Sequence, residues 1–179
     1  MKDTTLCAHS GLSHGKSRDI VNPPVYHAST VRFGSMEEMA KGNAEDPKAL
    51  VYGRYGTPTT FALQDAVAEL EGGHGSLVCP SGLSAITVSL LAFAKPGAHL
   101  LVADCVYAPT RKFCTTMLAR MGVNTTFFDP LHPDPASLLT DDTVAVFAEA
   151  PGSLTLEVQD IPAMASACAD RSIPLIVDN

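Results

Sequence analysis

Five short strand-like runs, most of them separated by helical patterns, constrain this chain more than anything else in it. They are "SLVC" (76–79), "HLLVA" (99–103), "NTTFF" (124–128), "VAVFA" (144–148) and "IPLIV" (173–177). Between most of them lie segments of helical periodicity. These cover 83–95, stopped by Pro96 and Gly97; 108–121, stopped by Gly122; and 160–171, opened by Asp160 with Pro162 in its first turn. Strands joined through helices cannot pair as tight hairpins, so they pair in parallel with helices on both faces. The segments share no sequence, so the pattern is α/β alternation and not a repeat array.

The first part of the chain reads differently. "IVNPPVYHASTVRF" holds two prolines and little periodicity, which predicts an extended arm. Ser35, followed three residues later by Glu38, forms a capping box that opens a short helix through Lys41. A long polar loop, "KGNAEDPKALVYGRYGTPT", comes next. Phe61, Leu63, Val67 and Leu70 then support an amphipathic helix that Gly72 and Gly73 end.

Composition removes several classes of function. A net charge of −7 leaves no basic surface for nucleic acid or anionic membrane. No apolar run approaches a membrane span, and the polar N-terminus lacks the apolar stretch of a signal peptide. Five scattered cysteines without a CxxC pair point to free thiols in a reducing compartment, so the cytosol is the expected location. The six histidines form no paired-ligand pattern, so no metal is assigned.

The strand-to-helix junctions are where an open α/β sheet binds its ligand. At the first, Ser81, Gly82 and Leu83 open a helix whose backbone N–H groups suit a phosphate. A glycine turn with a serine cap would look the same. The segment is neither a G-x-S-x-G nucleophile elbow nor a P-loop. At the second, Tyr107 is placed to stack on a planar ligand, or simply to pack. Glu149 and Asp178 end two further strands, as site carboxylates or as helix caps. In the polar loop Tyr52 and Arg54 are available to an anion, or are merely solvated.

Together, "YGRYGTPTTFALQDAVAELEGG", "CPSGLSAITVSLLAF", "DCVYAPTRKFC" and "EAPGSLTLEVQDIP" resemble the Cys/Met-metabolism family of pyridoxal-phosphate enzymes, of fold type I. The likeness runs from about residue 4 to the last residue. "EAPGS" and "FFDP" resemble its cystathionine β-lyase branch more than the γ-synthase and γ-lyase branches. The resemblance implies pyridoxal 5′-phosphate as cofactor and a thioether amino acid as substrate, with cystathionine cleaved to homocysteine, pyruvate and ammonia. It implies that Ser81, Gly82 and Leu83 hold the cofactor phosphate, that Tyr107 stacks on its ring, and that Asp178 pairs with its pyridinium nitrogen. Tyr52 and Arg54 would reach the phosphate held by a neighbouring subunit, in a homo-oligomer (dimer or tetramer).

The same resemblance divides the chain into an arm and reaching loop, 1–58, and a partial cofactor domain, 59–179. That domain is an incomplete, mostly parallel sheet flanked by helices. The lysine that carries the cofactor in the family lies beyond the aspartate. Here the lysines are Lys2, Lys16, Lys41, Lys48, Lys95 and Lys112, and none matches that motif. The expectation is therefore a truncated, inactive lyase chain, or alternatively a non-catalytic subunit that pairs with a full-length homologue. Run 76–79 would also lack the neighbours that later family strands provide.

Overall fold

The computed structural model describes residues 3–10, 23–132 and 134–179. They divide into two compact units, Met1–Val78 and Cys79–Asn179. The amphipathic helix of the sixties falls in the first of them.

The first unit holds α1 (Asp3–His9), α2 (Met36–Glu45) and α3 (Pro58–Glu71). Helix α1 has no counterpart in the periodicity, and residues 11–22, including Ile20 and Val21 of the expected arm, lie outside the described residues. Residues 23–28 carry no regular structure, in keeping with their prolines. Ser35 caps α2 by accepting the Glu38 amide at 3.1 Å, and Glu38 reaches back to the Gly34 amide at 2.7 Å. The helix runs on to Glu45 across a kink at Gly42, past the expected stop at Lys41. Thr57 caps α3, and Gly72 ends it in the left-handed conformation that glycine adopts without strain. Phe61 and Ala62 are buried, but Leu63, Val67 and Leu70 stay 40–53% exposed, so the predicted apolar stripe is only partly covered.

The second unit is the α/β layer expected. Helix α4 (Gly82–Leu91) precedes β1 (His99–Ala103), α5 (Ala108–Phe113), β2 (Asn124–Phe128), β3 (Thr143–Glu149), α6 (Ile161–Asp170) and β4 (Leu175–Asp178). The four strands are all parallel, in the order β2-β1-β3-β4. In the central strands Leu100 to Ala103 and Ala145 to Ala148 are each at most 1% exposed. Consecutive burial means that both faces are covered, which is why these runs are uniformly apolar and not alternating. Ile86 and Leu90 of α4, Cys114 and Leu118 after α5, and Met164 and Cys168 of α6 complete the core. No helix of the described residues is long and apolar enough to cross a membrane.

Two expectations need correction. Residues 76–79 form no strand: Leu77 is 84% and Val78 50% exposed. A strand exists only through a pairing partner, and no described strand pairs with this run. The helix expected over 108–121 is present to Arg120 but not uniform: it is α to Phe113, makes a π turn over Cys114–Leu118 in which the Ala119 N–H donates to Cys114 O, and is α again over 119–120.

At the amino end of the sheet His99 ties three strands together. Its Nδ1 lies 2.8 Å from Thr143 Oγ1 and its Nε2 2.9 Å from Thr126 Oγ1. Burial lowers the His99 pKa below the ordinary 6.5, against the opposing charge of Asp142.

Candidate functional site

The carboxyl ends of β1, β3 and β4 gather most of the chemistry-bearing residues. Helix α4 packs on the sheet and joins β1 by a short turn, so it runs back along the strand. Its ten residues span ~15 Å, close to the ~17 Å of the five-residue β1. Such a course directs its N-terminus towards the carboxyl ends of the strands. Ser81 caps it in an extended conformation, accepting the Ser84 amide at Oγ (3.1 Å) and the Ala85 amide at its carbonyl (3.0 Å). The amides of Gly82 and Leu83 remain without a partner among the described residues. The space where a Cβ on Gly82 would stand is open.

After β1 the chain turns through Asp104, Cys105 and Val106 to Tyr107, the N-cap residue of α5, a residue that is 46% exposed. Tyr107 offers α5 no side-chain cap. Glu149, from the end of β3, bonds the N-cap residue from outside the helix: its Oε2 accepts the Tyr107 N–H at 2.8 Å. Glu149 is 8% exposed and stands in register with Asp178 of β4. The strand ends are joined further by the Ala150 amide, which donates to Asp178 O at 3.0 Å. Burial pushes the Glu149 pKa up, the Tyr107 amide opposes this, and the nearby Asp178 charge adds to the rise, with a smaller opposing bond from Ser153.

The loop after β3 is braced to the turn after β1. Gln159 Nε2 donates to Glu149 O at 2.6 Å and to Cys105 Sγ at 3.6 Å. The Ser153 amide donates to Cys105 O at 2.9 Å, and the Cys105 thiol to Glu149 O at 3.6 Å. Gly152 lies so close that a Cβ there would come within 2.8 Å of Cys105 Cβ and 2.9 Å of Glu157 Oε2. Burial and the Glu157 charge raise the Cys105 pKa. A neutral thiol of this kind is a poor nucleophile, so Cys105 is a structural strut.

Of the residues singled out from sequence, Ser81, Gly82 and Leu83 share one helix terminus, and Tyr107 and Asp178 are linked through Glu149. Tyr52 and Arg54 lie in the first unit. There Tyr52 bridges antiparallel to Thr30 and meets Tyr55 edge-on, with ring centroids 5.8 Å apart. The Gly53 amide donates to Ser29 O at 2.7 Å, and the exposed Arg54 has no ion-pair partner among the described residues. The Cys105–Gln159 brace carried no sequence signal, because its partners are 54 residues apart and lie in two separate motifs that nothing in the sequence joins. None of the segments that meet at the strand ends contains a lysine. Lys95 follows the far end of α4, and Lys48 pairs with Asp65.

The model of the family described as Cys/Met metabolism PLP-dependent enzymes matches residues 4–179. The chain belongs to that family. Pyridoxal phosphate is its cofactor, and the donor set at the strand ends suits that molecule. The family member cystathionine beta-lyase of Haemophilus influenzae is 39% identical over 98% of this chain and 46% of its own length. Cystathionine beta-lyase MetC of Escherichia coli is 42% identical over 92% of this chain and 42% of its own. The crystal structure of metB from Corynebacterium glutamicum superposes with a TM-score of 0.87 at 27% identity, over 100% of this chain and 45% of the other. The chain thus spans less than half the length of these relatives.

Proposed function

We propose that these 179 residues are the cofactor-holding portion of a PLP-dependent carbon–sulfur lyase that cleaves cystathionine to homocysteine, pyruvate and ammonia. The single observation that carries the reading is the assembly at the sheet's carboxyl end. Two unpaired amides, an exposed aromatic ring and a strand-end carboxylate are three kinds of group that a phosphorylated pyridine needs. The likeness to cystathionine β-lyases supports the substrate.

In this reading the Gly82 and Leu83 amides, at the positive end of α4, bind the phosphate. Tyr107 covers one face of the ring and keeps water from it. Asp178 holds a proton on the pyridine nitrogen through a charge-assisted hydrogen bond. When bound, pyridoxal phosphate supplies an electron-withdrawing ring that stabilises negative charge on the substrate α-carbon. Tyr52 and Arg54 serve the phosphate of a neighbouring subunit, which makes the working form a homo-oligomer. Because no lysine matches the family's motif, binding by these residues is non-covalent and they do not complete the reaction themselves.

Pyridoxamine 5′-phosphate, which cannot condense with surface lysines, tests the reading by equilibrium titration. Saturable binding is expected, weakened about 10- to 100-fold in Asp178→Ala, the loss of one charge-assisted bond. Absence of saturable binding, or equal binding by the variant, would overturn the cofactor site. Sustained pyruvate formation from cystathionine would overturn the claim that the reaction needs more than these residues.

A further inference from the structure

Glu149 is the one buried carboxylate at the strand ends that the cofactor reading does not use. A buried carboxylate is costly unless its charge is satisfied, and its satisfaction here is specific. Its Oε2 takes the backbone N–H of Tyr107 at 2.8 Å, across 42 residues of sequence. That N–H belongs to the N-cap residue of α5, the position to which a capping-box glutamate in the helix itself would reach back. Since α5 has no side-chain cap, the negative charge that favours its N-terminus comes from β3.

We propose that Glu149 is a positioning residue whose ionised carboxylate holds the turn bearing Tyr107, so that the placement of the Tyr107 ring follows the protonation of Glu149. This deepens, and for its catalytic meaning rests on, the cofactor reading above.

Three features support it. First, a carboxylate accepts an amide N–H more strongly than a protonated carboxyl does, because the bond is charge-assisted. Second, the backbone of Glu149 is itself fixed: its carbonyl accepts from Gln159 at 2.6 Å, and the following amide donates to Asp178 O at 3.0 Å. The acceptor therefore does not follow the turn if the turn drifts.

Third, the groups facing Glu149 make its ionisation responsive. They are the Asp178 carboxylate on β4, the Cys105 thiol and the Tyr107 amide on the turn after β1, and the Ser153 hydroxyl after β3. Glu157 stands beyond Cys105 and acts on that thiol. Burial and the Asp178 charge favour the neutral form of Glu149. A cation seated on Asp178 would cancel the second of these and favour ionised Glu149. Occupancy of Asp178 would thereby tighten the turn that carries Tyr107, a coupling that linkage requires to be reciprocal.

The test uses the ligand-free chain, so its outcome is separate from the pyridoxamine titration. The backbone amide resonance of Tyr107 is followed against pH by 1H–15N NMR in the wild type, Glu149→Gln and Asp178→Asn. In the wild type the resonance is expected to titrate with a midpoint above the ordinary glutamate value of 4.5. Glu149→Gln, near-isosteric and still an acceptor, should abolish that titration, and Asp178→Asn should lower its midpoint. Protonation of Glu149 shifts the amide it bonds in any case, so the Tyr107 ring resonances are followed beside it, and a ring that stays flat while the amide titrates overturns the proposal. A flat wild-type profile, or one retained in Glu149→Gln, overturns the proposal, and the wild-type and Asp178→Asn profiles decide it if Glu149→Gln does not fold. Failure here with pyridoxamine binding intact removes only this inference.

Discussion

At the amino end of the sheet His99 bridges three strands through threonine hydroxyls, and each ring nitrogen has a partner. At the carboxyl end Glu149 and Asp178 stand side by side in register, with no ion-pair partner for either among the described residues. One end is closed upon itself. The other sets two carboxylates side by side, and their mutual repulsion opposes the ionisation of Glu149. The difference also fixes how each end tolerates change.

The largest contrast is steric. Gly152→Ala, at the carboxyl end, drives a Cβ to within 2.8 Å of Cys105, and overpacking of this kind costs ~1–3 kcal/mol, here towards the upper figure. Gly97→Ala, at the amino end, places its Cβ in open space at φ +83° and costs only the left-handed penalty of about 1 kcal/mol. Urea unfolding followed by circular dichroism checks both. Equal losses would remove the claim that only the carboxyl end is braced by close approach.

Next comes pH, where the two ends should oppose each other. The Glu149 pKa is raised above 4.5, so the folded chain holds that proton more tightly than the unfolded chain. Its contribution is present at low pH and is lost as pH rises above 4.5 through the folded value. The His99 pKa is lowered below 6.5, so the unfolded chain takes up that proton first. Its contribution is complete above 6.5 and is lost as pH falls through the folded value. Glu149→Gln should therefore leave stability rising with pH through this region, and His99→Asn should leave it falling. Urea midpoints measured across the acidic range would show it, and parallel profiles in the two variants would refute the opposition.

The smallest effect belongs to the rim of the carboxyl end. Arg111 pairs with the exposed Asp104 and lies 3.9 Å over the Phe127 ring. Arg111→Ala should cost about 1 kcal/mol or less, since exposed pairs and exposed cation–π contacts are each weak. A markedly larger loss by the same unfolding measurement would place Arg111 among the structural braces.

How much of this was legible depended on how far each feature reaches along the chain. The central strands β1 and β3 declared themselves because burial on both faces demands unbroken apolar runs. Residues 76–79 carry the same signature and form no strand, since composition describes a segment's fitness to pair and not the presence of a partner. Asp178 was legible as a carboxylate at a strand end. The bond from Glu149 to the Tyr107 amide was not, because backbone donors leave no mark in the sequence. Leu63, Val67 and Leu70 have helical spacing, yet spacing says which face is apolar and not what covers it.

The π turn at Cys114–Leu118 has a consequence for how relatives should align with this chain. Such a turn is what a helix adopts when one residue is added and the turns on either side keep their facing. Thr110 before it and Cys114 and Leu118 within it are all buried, so the extra residue of the wide turn is accommodated without loss of the core-facing positions. A homologue whose helix is regular throughout should accordingly be one residue shorter between the positions of Tyr107 and Gly122. A length polymorphism at that spot would mark an old insertion event, recorded in backbone geometry.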